Sequence, residues 1–293
     1  MSGFDVRPAL LGESAGFVAG ITWLPGETLD ALAAGTGAVG ESDYLATLAS
    51  ALELDFAFVP AHEPWAQQAV RDLRAAGVAS VWSVAGVLGR VGERVGWIEA
   101  LRMTVAEPGA LAVHIGEVLH DALEDVRHGL VEGADAILIA DDLAGATGPL
   151  ISPDFALDAL VPCYRSLARE ARDHDVPAIF HSDGDIRLML PALKRAGFSA
   201  VHLAGLSSAA FVTSHAVARA TGLVVLGGVE VAALGLGARR LGAHAGLIAL
   251  GGGMMVCDDG GIASAEEVAA YASALDAARE TYAVGSSSAD EAL

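Results

Sequence analysis

The feature that most constrains the fold is an alternation of short, continuously apolar runs with longer segments of helical periodicity. Runs that are apolar throughout, and do not alternate with polar residues, are typical of parallel strands covered by helices on both faces. We expect seven strands of this type, with an eighth candidate at residues 17–22. The seven runs are residues 54–59, 79–84, 136–140, 178–181, 200–203, 223–226 and 247–256.

Helical spacing and helix-start signals fill the gaps between these runs. Leu111, Ile115 and Leu119 recur on one helical face, and Ser152 stands before Pro153 as an N-cap does before a proline in the first turn. Repeated strand–helix alternation in 293 residues predicts the α/β class and a single (β/α)8 barrel of the TIM type, with parallel strands.

An open, doubly wound sheet is the alternative architecture. Its nucleotide-binding versions carry a Gly-x-Gly-x-x-Gly turn between a strand and a helix, or a phosphate-binding loop that ends in Gly-Lys-Ser/Thr. The first motif is missing near the start of this sequence and the second is missing throughout, so the barrel is favoured. No change in composition marks a domain boundary. We therefore expect one barrel domain over residues 1–283, followed by a small, polar, disordered tail over residues 284–293.

Charge excludes two classes of partner. The chain has 37 acidic and 17 basic residues, a net charge of −20, and no basic cluster. Nucleic acids and anionic membranes both select clustered positive charge, so neither is expected as a partner. The uncharged run over residues 196–218 is interpreted as buried core, because it contains polar residues such as His202 and His215.

Cysteine content and the N-terminal residues bear on the compartment. Two cysteines 94 positions apart predict no disulfide framework, and acidic residues near the N-terminus interrupt any signal sequence. We expect a cytoplasmic protein. The 53% share of apolar residues also favours a homodimer.

Polar side chains collect where four of the predicted strands end. Because the carboxyl ends of parallel barrel strands surround one mouth, these residues should converge and form the site. The candidates are Asp141, Asp142, His181, Asp183, Glu230, Cys257, Asp258 and Asp259. The HExxH and CxxC motifs do not occur.

Each candidate also has a structural interpretation. Acidic residues after strands often cap the following helix, and Asp141 and Asp142 cannot both point inward from one continuous strand. A single buried histidine is more often a hydrogen-bonded core residue than a catalyst, and small buried cysteines are common. His202 and His215 are interpreted as structural residues.

An ordered set of segments carries a resemblance to a known family. The segments are Ala140-Asp141-Asp142-Leu143-Ala144-Gly145, Gly148-Pro149-Leu150-Ile151-Ser152-Pro153, Pro162, Phe180-His181-Ser182-Asp183-Gly184-Asp185, Leu226-Gly227-Gly228-Val229-Glu230 and Gly252-Gly253-Met254-Met255-Val256. Together they resemble the uroporphyrinogen decarboxylase superfamily, clearly from about residue 85 to residue 275. The resemblance implies a (β/α)8 barrel with its site at the carboxyl ends of the strands. It implies one of two chemistries: decarboxylation of uroporphyrinogen without a cofactor, or zinc-dependent methyl transfer between a corrinoid and a thiol.

The sequence departs from both branches of that superfamily. The decarboxylases have an Arg-Gln-Ala-Gly-Arg stretch whose arginines hold substrate carboxylates, but Arg7 is the only arginine in the first 70 residues here. Arg90, Arg94 and Arg187 are the remaining candidates for that task. The methyltransferases have His-x-Cys where this chain has His181-Ser182-Asp183. The later cysteine of that branch aligns with Gly260, three residues after Cys257.

These comparisons favour a methyltransferase-like enzyme. We expect His181, Asp183 and Cys257 to be zinc ligands, with His181 or Asp183 handling protons if no metal is present. Asp142 and Glu230 would orient the ligand, so the expected catalytic set is Asp142, His181, Asp183 and Glu230. Zinc and a corrinoid are the expected cofactors, and a small molecule, a tetrapyrrole or corrinoid, or a corrinoid protein is the expected partner. The alternatives are a cofactor-free uroporphyrinogen III decarboxylase and a non-catalytic corrinoid- or tetrapyrrole-binding protein.

Overall fold

A parallel β-barrel organises the molecule. The computed structural model describes residues 5–13, 16–33, 40–145 and 148–290. Eight strands form one sheet in the order β1-β2-β3-β4-β7-β8-β9-β10, and every pair is parallel. A parallel bridge between Ala19 and Val256 joins the last strand to the first, which confirms the predicted barrel. The barrel strands are β1 (Gly20–Ile21), β2 (Phe56–Pro60), β3 (Ala79–Ala85), β4 (Ala136–Ala140), β7 (Ala178–Asp183), β8 (Ala200–Ala204), β9 (Val224–Val229) and β10 (Met254–Asp258); β5 (Ala144–Gly145) and β6 (Gly148–Pro149) form a short antiparallel hairpin.

Helices cover the outside of the barrel and follow most strands, as the alternation of the sequence predicts. None of the described helices is long and apolar enough to cross a membrane. The helices are α1 (Arg7–Leu10), α2 (Gly26–Ala33), α3 (Glu41–Ala51), α4 (Ala66–Ala76), α5 (Val87–Val95), α6 (Trp97–Ala106), α7 (Pro108–Glu132), α8 (Pro153–Phe155), α9 (Val161–Arg172), α10 (Leu190–Ala196), α11 (Ser208–Ala220), α12 (Leu234–Leu250) and α13 (Ala265–Asp290), with a π-turn at Ala156–Leu160 and a 3-10 turn at Val231–Ala233.

Alternate residues along the strands divide the core into two layers. Ile179 and Leu138 pack inside the barrel, whereas Phe180 and Ile137 pack against the helices. His181 continues the inward series that starts at Ile179, and His202 continues the inward series that starts at Ala200. The two histidines are register partners on neighbouring strands, so they meet at the top of the barrel interior.

Two sequence expectations require correction. The predicted strand over residues 247–256 is wrong in its first part, because residues up to Leu250 belong to α12 and β10 begins only at Met254. The disordered tail predicted from residue 284 differs from the structure, in which α13 continues to Asp290. Gly285 lies against the side chain of Leu250, so packing on α12 supports the helix there. Residues 291–293 of the predicted tail lie outside the described residues.

Candidate active site

His181 stands at the centre of the candidate site. It lies near the end of β7, is 7% exposed, and faces the barrel mouth. Its Nδ1 lies 2.8 Å from Nδ1 of His202, and the planes of the two rings meet at 24° with centroids 4.9 Å apart. Trp23 and His181 make an edge-to-face contact, with ring centroids 4.8 Å apart. Burial lowers the pKa of His181 to about 3, so the ring is neutral at physiological pH.

Two carboxylates face the second ring nitrogen of His181. Its Nε2 lies 3.6 Å from Oδ1 of Asp142 and 3.9 Å from Oδ1 of Asp183. Because the imidazole is neutral, these contacts are not ion pairs. Asp142 Oδ1 also accepts the backbone N–H of Asp183 at 2.9 Å, which ties the two acidic residues together. Burial, with repulsion from Asp142, raises the pKa of Asp183.

Glycine and serine fix the loop that carries Asp183. Gly184 has φ +75°, and a Cβ there would lie 2.4 Å from the carbonyl oxygen of Gly145. Only glycine therefore allows this loop to pack so closely on the β5–β6 hairpin. Buried Ser182 accepts the backbone N–H of Leu143 at 2.9 Å and links the end of β7 to the residues after β4. Both devices hold Asp142 and Asp183 near each other.

Asp141 has a structural role. It is 1% exposed and accepts the backbone N–H groups of Leu88 at 2.9 Å and Gly89 at 2.7 Å. It also accepts the hydroxyl of Tyr164 at 2.7 Å. Burial raises the pKa of Asp141 to about 6, against the opposing effect of these hydrogen bonds. Asp141 thus caps the start of α5, as expected for one member of the Asp141–Asp142 pair.

An open cavity of about 340 Å³ adjoins His181 and Asp142. Two tryptophans, Trp23 and Trp97, form part of its wall, and Glu93 adds a further acidic group. Among the described residues that line it there is no lysine or arginine. The cavity therefore combines aromatic surface with negative charge and favours neutral or cationic groups over carboxylates.

Within the described part of the chain, Asp142, His181 and Asp183 form a group that could hold a metal ion. One ligand atom from each lies within 4.8 Å of the others. Cys257, the predicted third ligand, is not in this group. Its side chain is fully buried in the barrel interior with Met255 and Leu226, and burial raises the pKa of its thiol. The structure thus places Asp142 where the sequence interpretation placed Cys257.

Glu230 lies apart from this group. It follows β9 and lines a small cleft with Asp259, Leu203 and Phe211. Neither Glu230 nor Asp259 lines the cavity at His181. Burial, together with the nearby charges of Asp258 and Glu230, raises the pKa of Asp259 to about 6. The ends of β4, β7, β9 and β10 do share one end of the barrel, but the residues after β9 do not join the His181 group.

The three candidate substrate-binding arginines are engaged elsewhere. Arg90 donates to Asp125 and to the carbonyl oxygen of Ala85. Arg94 pairs with Asp121 at 2.6 Å. Arg187 pairs with Asp185, its neighbour in the same loop. Each guanidinium is therefore already neutralised by an acidic side chain of the protein.

His202 and Trp23 are site residues that the sequence interpretation missed. His202 is fully buried, and its Nε2 lies 3.0 Å from the carbonyl oxygen of Asp258. Burial and the adjacent His181 lower the pKa of His202 to about 3. Its signal in the sequence is a histidine on the strand after His181, one residue before that strand's apolar run ends.

The nearly closed, parallel (β/α)8 barrel, with polar side chains at the carboxyl ends of its strands, places this protein in the TIM-barrel class. Residues 44–245 match the family model described as uroporphyrinogen decarboxylase (URO-D). The chain belongs to the uroporphyrinogen decarboxylase family, as the ordered segments suggested. No curated protein sequence matches it.

Solved structures of similar fold include a methyltransferase from Methanosarcina mazei. It superposes with a TM-score of 0.68 at 17% identity, covering 96% of this chain and 100% of the other. D-psicose 3-epimerase from Clostridium cellulolyticum H10 gives a TM-score of 0.53 at 12% identity, covering 82% of this chain and 93% of that one. A chitinase from Chromobacterium violaceum ATCC 12472 gives 0.53 at 11% identity, covering 88% and 99%. At these identities the likeness shows the barrel fold alone.

Proposed function

We propose that this chain is a metal-dependent, methyltransferase-like enzyme that moves a methyl group between a corrinoid and a thiol. The convergence of Asp142, His181 and Asp183, with ligand atoms within 4.8 Å of one another, carries this proposal. The likeness of the whole chain to a methyltransferase barrel supports the choice of branch. A corrinoid-carrying protein and a second copy of this chain are its proposed partners.

The donor set fits a divalent transition metal such as zinc. Imidazole nitrogen and carboxylate oxygen are both zinc ligands, and three protein ligands leave one tetrahedral position open for a substrate. The carboxylates of Asp142 and Asp183 would balance both charges of the ion. The same donors also accept Mn²⁺ or Fe²⁺, so the site selects less sharply than one with thiolates. Zinc bound there would supply a lowered pKa for a coordinated substrate thiol.

The residues of the chain have separable tasks in this proposal. His181 presents its nitrogen from a strand, and the N–H of Asp183 orients the Asp142 carboxylate. The cavity beside them, with Trp23 and Trp97 in its wall, gives a flat apolar ligand access from outside. In transfer from methylcobalamin, the methyl carbon bonds to sulfur, both electrons of the broken carbon–cobalt bond remain with cobalt, and the thiol proton passes to water.

The decarboxylase alternative has less support. Its substrate carries eight carboxylates, and each one that leaves water needs a paired donor. Arg90, Arg94 and Arg187 all bind acidic side chains of the protein itself. The described lining of the cavity offers no lysine or arginine to replace them.

Metal content followed by methyl transfer tests the proposal. Protein purified without chelators should contain about one zinc per chain, and His181→Ala and Asp183→Asn should each lose most of it. Asp185→Asn is the matched control, because this carboxylate of the same loop pairs with Arg187. The zinc protein should then methylate 2-mercaptoethanol from methylcobalamin. Failure to bind zinc even after supplementation would contradict the proposal, and a cobalamin spectral change without turnover would favour the binding-only alternative.

A further inference from the structure

We infer that His202 is a positioning residue, which holds His181 in the tautomer with its proton on Nδ1 and the Nε2 lone pair facing Asp142 and Asp183. The inference rests on a chain of hydrogen bonds that runs from β10 through β8 to β7. Its consequence for metal binding rests on the proposed function, whereas the tautomer itself does not.

The donor and acceptor of each hydrogen bond in this series follow from the carbonyl group at the Asp258 end. The carbonyl oxygen of Asp258 can only accept, so His202 Nε2, at 3.0 Å, donates to it. A neutral imidazole has one N–H group, so Nδ1 of His202 is an acceptor. Nδ1 of His181, 2.8 Å away, therefore donates.

The other nitrogen of His181 is left without a proton. If Nε2 carried one, it would lie within hydrogen-bond range of a carboxylate, which is about 2.7–3.2 Å for N–H···O. The observed separations are 3.6 Å to Asp142 and 3.9 Å to Asp183. A lone pair and two carboxylate oxygens thus face the same point. Three acceptors around one point form a receptor for a cation.

Hydrogen bonds hold the groups behind His202 in place. The carboxylate of Asp258 accepts the backbone N–H of Thr22 at 2.9 Å, the Thr22 hydroxyl, and the N–H of Gly260 at 3.0 Å. The edge-to-face contact of His202 with Phe58 at 5.4 Å fixes the ring plane from the other side. Without His202, the His181 ring would lose the acceptor that fixes its proton and would be free to turn its N–H toward the carboxylates.

Nitrogen NMR of the metal-free, full-length protein reads the tautomer directly. With ¹⁵N-labelled histidine, His181 should show a pyrrole-like Nδ1 and a pyridine-like Nε2, assigned by the signals that His181→Asn removes. His202→Phe keeps a ring against Trp23 and Phe58 but removes both hydrogen bonds. His202→Gln keeps one acceptor and one donor.

Zinc titration against a competing chelator gives the second measurement. His202→Phe should weaken zinc binding about 10- to 100-fold, the usual effect of losing the partner that orients a ligand histidine. His202→Gln should recover most of that loss. A metal-free wild type with the proton on Nε2 of His181, or a folded His202→Phe variant that binds zinc as the wild type does, would overturn the inference.

The two proposals fail in different ways. A wild type that binds no zinc but shows the expected tautomer would refute the metal site and uphold the role of His202. A wild type that binds zinc but shows the opposite tautomer would do the reverse. If His202→Phe does not fold, the wild-type spectrum alone decides the tautomer.

Discussion

The carboxylates of Asp141 and Asp142 point to opposite sides of the barrel wall although the two residues are adjacent in sequence. Asp141 faces the helices and accepts from Leu88, Gly89 and Tyr164. Asp142 faces the mouth beside His181. Gly86 makes room for the first arrangement, since a Cβ there would lie 2.5 Å from the Asp141 side chain. One carboxylate therefore supports the fold and the other serves the site.

Alanine substitutions should separate these two roles. Asp141→Ala leaves two backbone N–H groups and a buried hydroxyl unpaired, so the free energy of unfolding should fall by about 3 kcal/mol. Asp142→Ala should change it by less than about 1 kcal/mol, because the side chain is half-exposed. Zinc affinity should fall at least about tenfold in Asp142→Ala. Urea denaturation and zinc competition measure both effects; equal destabilisation by the two variants would contradict the assignment.

Substitution of Cys257 tests whether this residue belongs to the metal group. Cys257→Ser places a hydroxyl in the apolar barrel interior, which should cost about 1–3 kcal/mol of unfolding free energy. The zinc content of the folded variant should equal that of the wild type. Loss of zinc from a variant with native circular dichroism would restore Cys257 as a ligand.

The pH dependence of stability should report on Asp259. Burial raises the pKa of the Asp259 carboxyl to about 6 in the folded protein. The contribution of this group to the free energy of unfolding is therefore fully present below about pH 4 and is lost as the pH rises through 6. Asp259→Asn mimics the neutral form and keeps an oxygen for the N–H of Val231. The variant should therefore gain stability relative to wild type, by about 1 kcal/mol, between pH 4 and pH 7.

Asp185→Asn is a control, because the stability that Asp185 contributes should change with pH in the opposite direction. The hydrogen bonds from Arg187 lower the pKa of Asp185, so its contribution is present at neutral pH and is lost as pH falls. Thermal unfolding at five pH values would compare the variants with wild type. Parallel curves for Asp259→Asn and wild type would show that the Asp259 carboxyl is not perturbed.

Close packing of α12 on α13 should make Gly242 intolerant of a side chain. A Cβ at Gly242 would lie 1.8 Å from the carbonyl oxygen of Ala274, so Gly242→Ala should destabilise the protein by more than about 2 kcal/mol. Gly235 lies before the break that Gly237, with φ +155°, makes in α12, and it has nothing within 4 Å of such an atom. Gly235→Ala should be neutral or stabilise by up to about 1 kcal/mol. Similar melting temperatures for the two variants would show that the helices separate easily.

Uroporphyrinogen III should not be decarboxylated to an appreciable extent. The net charge of −20 opposes the approach of eight carboxylates, and the candidate arginines are already paired. Anaerobic incubation and chromatography of the oxidised products would detect any conversion. Stepwise appearance of hepta- to tetracarboxylate porphyrins, above an Asp142→Ala plus Asp183→Ala control, would place the protein in the decarboxylase branch.

The barrel could be predicted because continuous apolar strands and helical periods are local patterns. The run before Gly251 could not be resolved in the same way, because four consecutive apolar residues suit either a strand or a buried helix. Contacts decide it: Gly242 and Gly246 bring α12 against α13, and Leu250 ends that helix. These contacts join distant residues and leave no local signal.

Part of the site could also be predicted, because the ends of the strands are local patterns in the sequence. Strand ends identified Asp142, His181 and Asp183, but strands covered on both faces do not reveal which residues face inward. His202 therefore resembled a core residue in the sequence, and its contact with His181 depends on the register between β7 and β8. Cys257 sits inside β10, one residue before the strand ends, so its thiol stays in the interior.

Asp258 ties the assembly of the chain to the chemistry of its site. Its carboxylate binds Thr22, just after the first strand, while its carbonyl receives His202. Thr22 and Asp258 are 236 positions apart, so their contact forms only when the first and last strands of the barrel come together. A fragment that ends before β10 would lack the hydrogen bond that orients His202, and His202 could not then fix the proton of His181. Closure of the barrel and preorganisation of the proposed metal site thus depend on the same residue.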